Sequence, residues 1–225
     1  MAGEPESLDV DEGLARRLHR HWFDRLIMLS DGVFAIAMTL LALDLHAPPG
    51  WDGRLASLWA TLIPQLDAYA LSAIVIAVYW LAHRRFLTMI LTVDAPVTVI
   101  NLVMLALVAL LPSATRLVDA RPSRPEVMLL YAGLVVAIGA ALAVLWGYAA
   151  LMANLVSAEV SARMRWFLLI LMVFTPVFFL LLTQALPSPP IPGEVPLTLL
   201  TLFLVGWRMR LWVLHRLAGK TTQIS

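Results

Sequence analysis

The chain has 225 residues, of which 61% are hydrophobic and 14% charged, and its formal net charge is +1. Soluble domains carry about 25% charged residues, and a chain of this length has too little interior to bury so much apolar surface. These values exclude an ordinary soluble domain and predict an all-α integral membrane protein. The absence of cysteine excludes disulfides, thiolate metal sites and cysteine nucleophiles.

The first 22 residues are polar and lack the short apolar core and small-residue cleavage site of a signal peptide, so we predict a cytoplasmic segment over residues 1–22. Six apolar runs follow, each compatible with a membrane-spanning helix. They cover about Leu26–Leu45, Leu62–Trp80, Ala95–Leu117, Val127–Val156, Trp166–Leu186 and Val195–Leu214. We therefore predict one six-helix domain over residues 23–217 and a disordered tail over residues 218–225.

The basic residues are distributed unequally between the two predicted sides of the membrane. Arg54, Arg116, Arg121 and Arg124 lie on one side. The other side, which carries both termini, holds Arg16, Arg17, Arg20, Arg25, Arg84, Arg85, Arg163, Arg165, Arg208, Arg210, Arg216 and Lys220. Because Lys and Arg accumulate in cytoplasmic loops, both termini are predicted to be cytoplasmic, in a multi-pass protein of the plasma membrane.

The first apolar run is unusual because it contains Ser30 and Asp31 beside Gly32. A carboxylate inside a membrane helix costs several kcal/mol unless it is paired, and such residues are functional candidates by default. The alternative is structural, with Asp31 near the cytoplasmic interface and serving only to tie helices together.

The helical period divides this run into two faces. At about 100° per residue, Ile36, Thr39, Leu40 and Leu43 form one stripe. Asp31 lies roughly 140° from Ile36, so we expect it to face other helices of its own subunit while the stripe faces something else. An apolar stripe of this kind is ordinarily a packing surface, which is the alternative interpretation.

These residues resemble the signature of the transmembrane protein 175 family, which comprises lysosomal potassium channels and their bacterial relatives. That family carries Arg-x-x-x-Phe-Ser-Asp at the start of its first helix. Here Arg25, Ser30 and Asp31 match the pattern, and Leu29 replaces the phenylalanine. The following residues, 31–37, continue as in bacterial members.

Two later patterns resemble the same family, one at the end of its second helix and one along its third helix. The first pattern is Trp80-x-x-His83-x-x-Phe86. The second consists of Asp94, Asn101-Leu102 and Leu111-Pro112-x-x-Thr115. The resemblance covers residues 25–115. Beyond Thr115, only hydropathy and spacing agree with the family.

The resemblance implies a homotetramer in which four first helices line a central potassium pore. By position, Ile36 would form the constriction, with Leu40 and Leu43 one and two turns further along, and Thr39 would supply a ring of hydroxyls. Selectivity for potassium would be modest, because potassium sheds its water more easily than sodium. The sequence contains no Thr-Val-Gly-Tyr-Gly loop, so a filter of backbone carbonyls is not expected. No cofactor or bound metal is implied beyond the permeant ions.

The family patterns also imply a polar network that supports the first helix and consists of Trp80, His83, Asp94 and Asn101. We expect Ser30 and Asp31 to hydrogen-bond to Trp80, His83 and Asn101, since each is expensive to bury alone. Taken singly, each partner has a simpler interpretation. Trp80 is typical of an interfacial belt, His83 of a cytoplasmic flank, and Asn101 of a bridge between helices.

Arg25 requires a counter-ion if it lies at the mouth of a cation pore, and the sequence leaves Asp24 and Asp94 as alternatives. A second functional hypothesis is a proton-coupled or cation-coupled transporter that uses Asp31, His83 and Asp94 as a relay. An enzyme is not expected, because no metal-binding His pair, nucleophile elbow or phosphate loop is present. The histidines are scattered, at His19, His21, His46, His83 and His215.

Overall fold

The structure is a computed structural model that describes residues 4–47, 49–120 and 124–185. Its helices are α1 (Glu4–Leu43), α2 (Leu55–Leu87), α3 (Ala95–Ala120), α4 (Pro125–Gly147) and α5 (Ala162–Ala185). Four membrane-capable helices lie in the described part, namely α2, α3, the portion of α1 from His21, and α4 with its extension to Met152. The prediction of an all-α membrane protein is therefore confirmed, while the sixth segment and the tail lie outside the described residues.

The helices differ in extent from the predicted spans, most clearly α1, which already begins at Glu4, and α2 and α4. Helix α2 runs from Leu55 to Leu87, beyond the apolar run at both ends, because its amphipathic flanks remain helical where they reach the membrane interface. Helix α4 continues as one π-helical turn over Tyr148–Met152 and stops before the predicted end at Val156. It stops there because Asn154 adopts a φ of 49°, in the left-handed region that an α-helix cannot continue through.

The helices run alternately up and down, so the bundle has two ends. We call them the Arg25 end, where α1 enters the bundle, and the Asp44 end, where α1 stops. At the Arg25 end the two connecting loops pair through an antiparallel bridge between Ile90 and Val156. The flanking bond from Leu91 N–H to the Leu155 carbonyl is 2.9 Å long. The bridge joins the α2–α3 loop to the loop that precedes α5.

Helix α3 is central, because it packs against α1, α2 and α4, while α5 packs against α4. The closest approach lies at Gly139 of α4, where an added Cβ would fall 2.6 Å from Pro176 Cγ and 2.8 Å from the Tyr79 hydroxyl. That hydroxyl donates to the Val135 carbonyl at 2.8 Å. Small residues at such crossings matter in lipid, where close packing rather than water exclusion drives helix association.

A second junction joins α2, α3 and α4 toward the Asp44 end. Thr115 donates its hydroxyl hydrogen to the Leu111 carbonyl at 2.8 Å, so it accepts from Ser72, 2.7 Å away. Tyr131 then donates to Ser72 across 3.0 Å. All three hydroxyls belong to buried residues, and their pairing removes the cost of placing polar groups in lipid.

Candidate functional site

Helix α1 has two faces with different environments. Its inner face consists of residues three or four positions apart that are buried within the subunit: Leu26, Ser30, Phe34, Ala37 and Leu41. The predicted stripe lies outside this face, with Ile36 59% exposed and Leu43 74% exposed, and Leu40 and Thr39 also exposed. The described residues of one subunit therefore leave an apolar surface of α1 uncovered over the second half of its membrane-spanning part.

A chain of buried hydrogen bonds holds the inner face of α1. Asn101 Nδ2 donates to Ser30 Oγ at 3.1 Å, and Ser30 in turn donates to the Leu26 carbonyl at 2.8 Å. With its amide nitrogen on Ser30, Asn101 presents Oδ1 to His83 Nε2, 2.7 Å away. Because an amide oxygen only accepts, Nε2 carries the proton. The chain thus runs from α2 through α3 to the backbone of α1.

Aromatic rings enclose the imidazole of His83. The ring centroids of Phe34 and Phe86 lie 5.7 and 6.5 Å from that of His83, and His83 is 1% exposed. Water therefore has no ready access to Nε2. Asn101 is the acceptor on which the buried N–H depends.

Asp31 lies beside the hydrogen bonds that join His83, Asn101 and Ser30 but takes no part in them. Its side chain is exposed, because the next residue along a helix points about 100° away from Ser30. It remains tied to its own subunit, since Trp80 Nε1 donates to Asp31 Oδ1 at 2.8 Å. Arg84 in turn lies over the indole, 5.3 Å from the ring centroid.

Asp94 does not join the polar network, contrary to the prediction. Its Oδ1 accepts from the Val97 N–H at 3.0 Å, which caps the start of α3, and its Oδ2 accepts from Tyr148 Oη at 2.7 Å. Asp94 precedes Asn101 by seven residues, about 10 Å along a helix, which places it too far toward the Arg25 end. Among the described residues, Arg25 forms no ion pair with either Asp24 or Asp94.

Sequence reasoning missed one ion pair, at the Asp44 end. Arg116 Nε lies 2.6 Å from Asp44 Oδ1, joining the end of α1 to the last turns of α3. The two residues line a cavity of about 380 Å³, together with His46 and Asp119. The available signal was the opposite charge of two residues that end predicted segments on the same side of the membrane.

The fold defines a helical membrane protein in which one face of α1 is anchored and the opposite face is exposed among the described residues. Residues 25–112 match the family model described as the endosomal/lysosomal potassium channel TMEM175. The chain is therefore similar to this family over the segment that includes its first helix, in agreement with the resemblance found in that helix.

Individual relatives agree with the family match. A potassium channel from Streptomyces collinus is 39% identical over 94 residues, which is 40% of this chain and 45% of that protein. The endosomal/lysosomal proton channel TMEM175 of Danio rerio is 29% identical over 64% of this chain and 28% of its own length. The chain thus spans less than half the length of these two relatives.

A solved structure resembles the chain over a larger share. It is the crystal structure of a lysosomal potassium-selective channel TMEM175 homolog from Chamaesiphon minutus, with a TM-score of 0.54 and 26% identity. The match covers 73% of this chain and all of that one. The helical arrangement is therefore similar to that of the Chamaesiphon minutus protein.

Proposed function

We propose that the chain is a cation channel, modestly selective for potassium, in which four copies surround a central pore lined by α1. The observation that carries this proposal is the division of α1 into an anchored inner face and an uncovered apolar stripe. Ile36, Leu40 and Leu43 are exposed in the single subunit. In an assembly of four copies, neighbouring α1 helices would cover part of this surface. The part that they leave uncovered would line a narrow pore.

The constriction in this proposal is a ring of Ile36 side chains. Such a ring controls permeation by excluding water when it is narrow, so an ion must lose part of its hydration shell there. Thr39 Oγ1 donates its hydrogen to the Ile36 carbonyl at 2.9 Å. The hydroxyl oxygen retains its lone pairs for a passing cation, which compensates part of the dehydration cost.

The relatives support a cation channel but name two different permeant ions, potassium and the proton. The Streptomyces collinus protein is named a potassium channel, whereas the Danio rerio protein is named a proton channel. We assign potassium to this chain because the stripe carries no titratable side chain, whereas proton relays in membranes are typically marked by Asp, Glu or His residues.

The transporter hypothesis is not favoured by the geometry. A relay requires its titratable groups to be linked, directly or through one shared partner. Here His83 bonds to Asn101, Asp31 to Trp80, and Asp94 to Tyr148. Asp31, His83 and Asp94 are thus engaged with three separate partners in the described part of the chain.

The placement in the membrane is part of the same proposal. The accumulation of basic residues at the Arg25 end supports a cytoplasmic position for that end. Both termini would then be cytoplasmic, provided that the sixth predicted span crosses the membrane. The plasma membrane is the proposed location, and no cofactor is required for conduction.

The proposal is tested by purifying the protein in detergent, measuring the mass of the particle, and reconstituting it in planar bilayers. We expect a mass of four copies and currents that favour potassium. Ile36→Asn and Thr39→Ala should each change the potassium-to-sodium permeability ratio measured from reversal potentials. Leu110→Asn, which alters an exposed residue of α3, is the matched control and should leave the ratio unchanged.

Two outcomes contradict the proposal. A monomeric particle leaves one copy of the stripe and therefore no enclosed pore. If the potassium-to-sodium permeability ratio stays at the wild-type value in both Ile36→Asn and Thr39→Ala, the stripe does not line the conduction path, whatever the oligomeric state.

A further inference from the structure

The carboxylate of Asp44 stands where the apolar stripe of α1 ends. Helix α1 stops at Leu43, the last residue of the stripe, and Asp44 follows it directly. In an assembly of four copies, four such carboxylates would surround the mouth of the pore at the Asp44 end. Negative charge at a narrow mouth raises the local concentration of cations and their rate of entry.

Each of these carboxylates is held by one arginine. Arg116 Nε lies 2.6 Å from Oδ1 of Asp44. The other oxygen, Oδ2, is buried and has no hydrogen-bond donor among the described residues. His46 is nearby, but its Nδ1 donates to the backbone carbonyl of Asp44 at 2.6 Å rather than to the carboxylate. Arg116 is thus the group that neutralises the carboxylate.

We propose that Arg116 sets the charge of the pore mouth at the Asp44 end by cancelling that of Asp44, and so limits cation entry. The proposal rests on the proposed channel function. Asp119 lines the same cavity three residues after Arg116, but the described part of the chain holds no ion pair between them. Asp44 is the carboxylate adjacent to the stripe, and its pairing with Arg116 therefore governs the mouth.

Screening by salt gives the expected size of the effect. The Debye length is about 10 Å at 0.1 M salt and about 3 Å at 1 M. Four unpaired carboxylates about 10 Å from the pore axis would raise the local potassium concentration about threefold at 0.1 M. At 1 M the increase falls to about 10%.

The test is single-channel conductance of the full chain in planar bilayers, in symmetrical KCl at 0.1 M and at 1 M. Arg116→Gln should conduct about threefold more than wild type at 0.1 M and nearly the same at 1 M. Asp44→Asn leaves the arginine uncompensated and should conduct less at 0.1 M. The double variant Asp44→Asn/Arg116→Gln carries no net change of charge and should return to the wild-type conductance.

One variant at the same end serves as a matched control. Arg124→Gln removes an exposed arginine at the start of α4. It should conduct like wild type at either salt concentration. An Arg124→Gln effect equal to that of Arg116→Gln would overturn the specific pairing, because any lost positive charge would then suffice.

The remaining outcomes separate this inference from the channel proposal. Absence of cation current in the wild type refutes the channel function and the inference with it. A conducting wild type with unchanged conductance in Arg116→Gln at 0.1 M refutes only the role of Arg116. If Arg116→Gln does not elute as the wild-type oligomer, Asp44→Asn decides alone, and a conductance equal to wild type at 0.1 M overturns the inference.

Discussion

Asn101→Leu should destabilise the bundle, because it removes the middle of the hydrogen-bond chain that anchors α1. The substitution preserves the approximate volume of the side chain and deletes two bonds, of 3.1 Å to Ser30 and 2.7 Å to His83. Ser30 still donates to the Leu26 carbonyl, so it is not left as an orphaned donor. The His83 N–H loses its acceptor, and this loss dominates the energy.

The magnitude follows from the enclosure of that N–H. Hydrogen bonds between membrane helices are worth about 0.6 kcal/mol on average, whereas a buried donor left without an acceptor costs about 1–3 kcal/mol. His83 is 1% exposed and lies between the rings of Phe34 and Phe86. We therefore expect about 1–3 kcal/mol of destabilisation, measured as the free energy of unfolding in mixed detergent and SDS micelles.

A double-mutant cycle identifies the cause. His83→Phe removes the donor. The free energy of unfolding of the double variant His83→Phe/Asn101→Leu should therefore exceed the value expected from adding the two single effects by about 1 kcal/mol or more. Strict additivity would show that the N–H is not the source of the cost. Leu102→Ala, at an exposed neighbouring position on α3, is the control and should remain within about 0.5 kcal/mol of wild type.

Two further predictions concern packing and a loop. Gly139→Ala should lower the free energy of unfolding by about 1–3 kcal/mol through overpacking against Pro176. Gly133→Ala, where an added Cβ meets nothing within 4 Å, should not; equal losses would contradict this. In the loop before α2, the Ser57 hydroxyl donates to Asp52 at 2.6 Å and lowers the pKa of that carboxyl. Ser57→Ala should raise the pKa toward the ordinary value near 3.8, measured by NMR titration. The stabilisation is present above that value and is lost as the pH falls; an unchanged pKa would refute the assignment.

The apolar spans and the buried polar residues were accessible from the sequence for the same physical reason. Lipid offers no hydrogen bonds, so the length of an apolar run limits where a helix can cross, and a polar residue inside the run requires a partner. Ser30, His83 and Asn101 satisfy that requirement together. The family resemblance, carried by the first helix, agrees with the family model that matches residues 25–112.

The errors concern residues near the helix ends. Asp94 was expected beside Asn101 or Arg25, but its partner is Tyr148 in the π-helical turn after α4. That contact depends on how far α4 extends and on how it crosses α3, neither of which hydropathy encodes. The Asp44–Arg116 pair was missed for the same reason, since residues in polar flanks have many possible partners and no strong cost if unpaired.

The hydrogen bonds that link α1 to α2 and α3 also limit how α1 can move. Turning α1 about its own axis by one residue would carry Ser30 about 100° away from Asn101 and leave the buried histidine N–H without an acceptor. Tilting α1 together with α2 and α3, by contrast, preserves every one of these bonds. If the proposed channel function holds, opening and closing should therefore proceed by tilt of the three helices as a unit, with the orientation of Ile36 relative to the rest of the subunit unchanged.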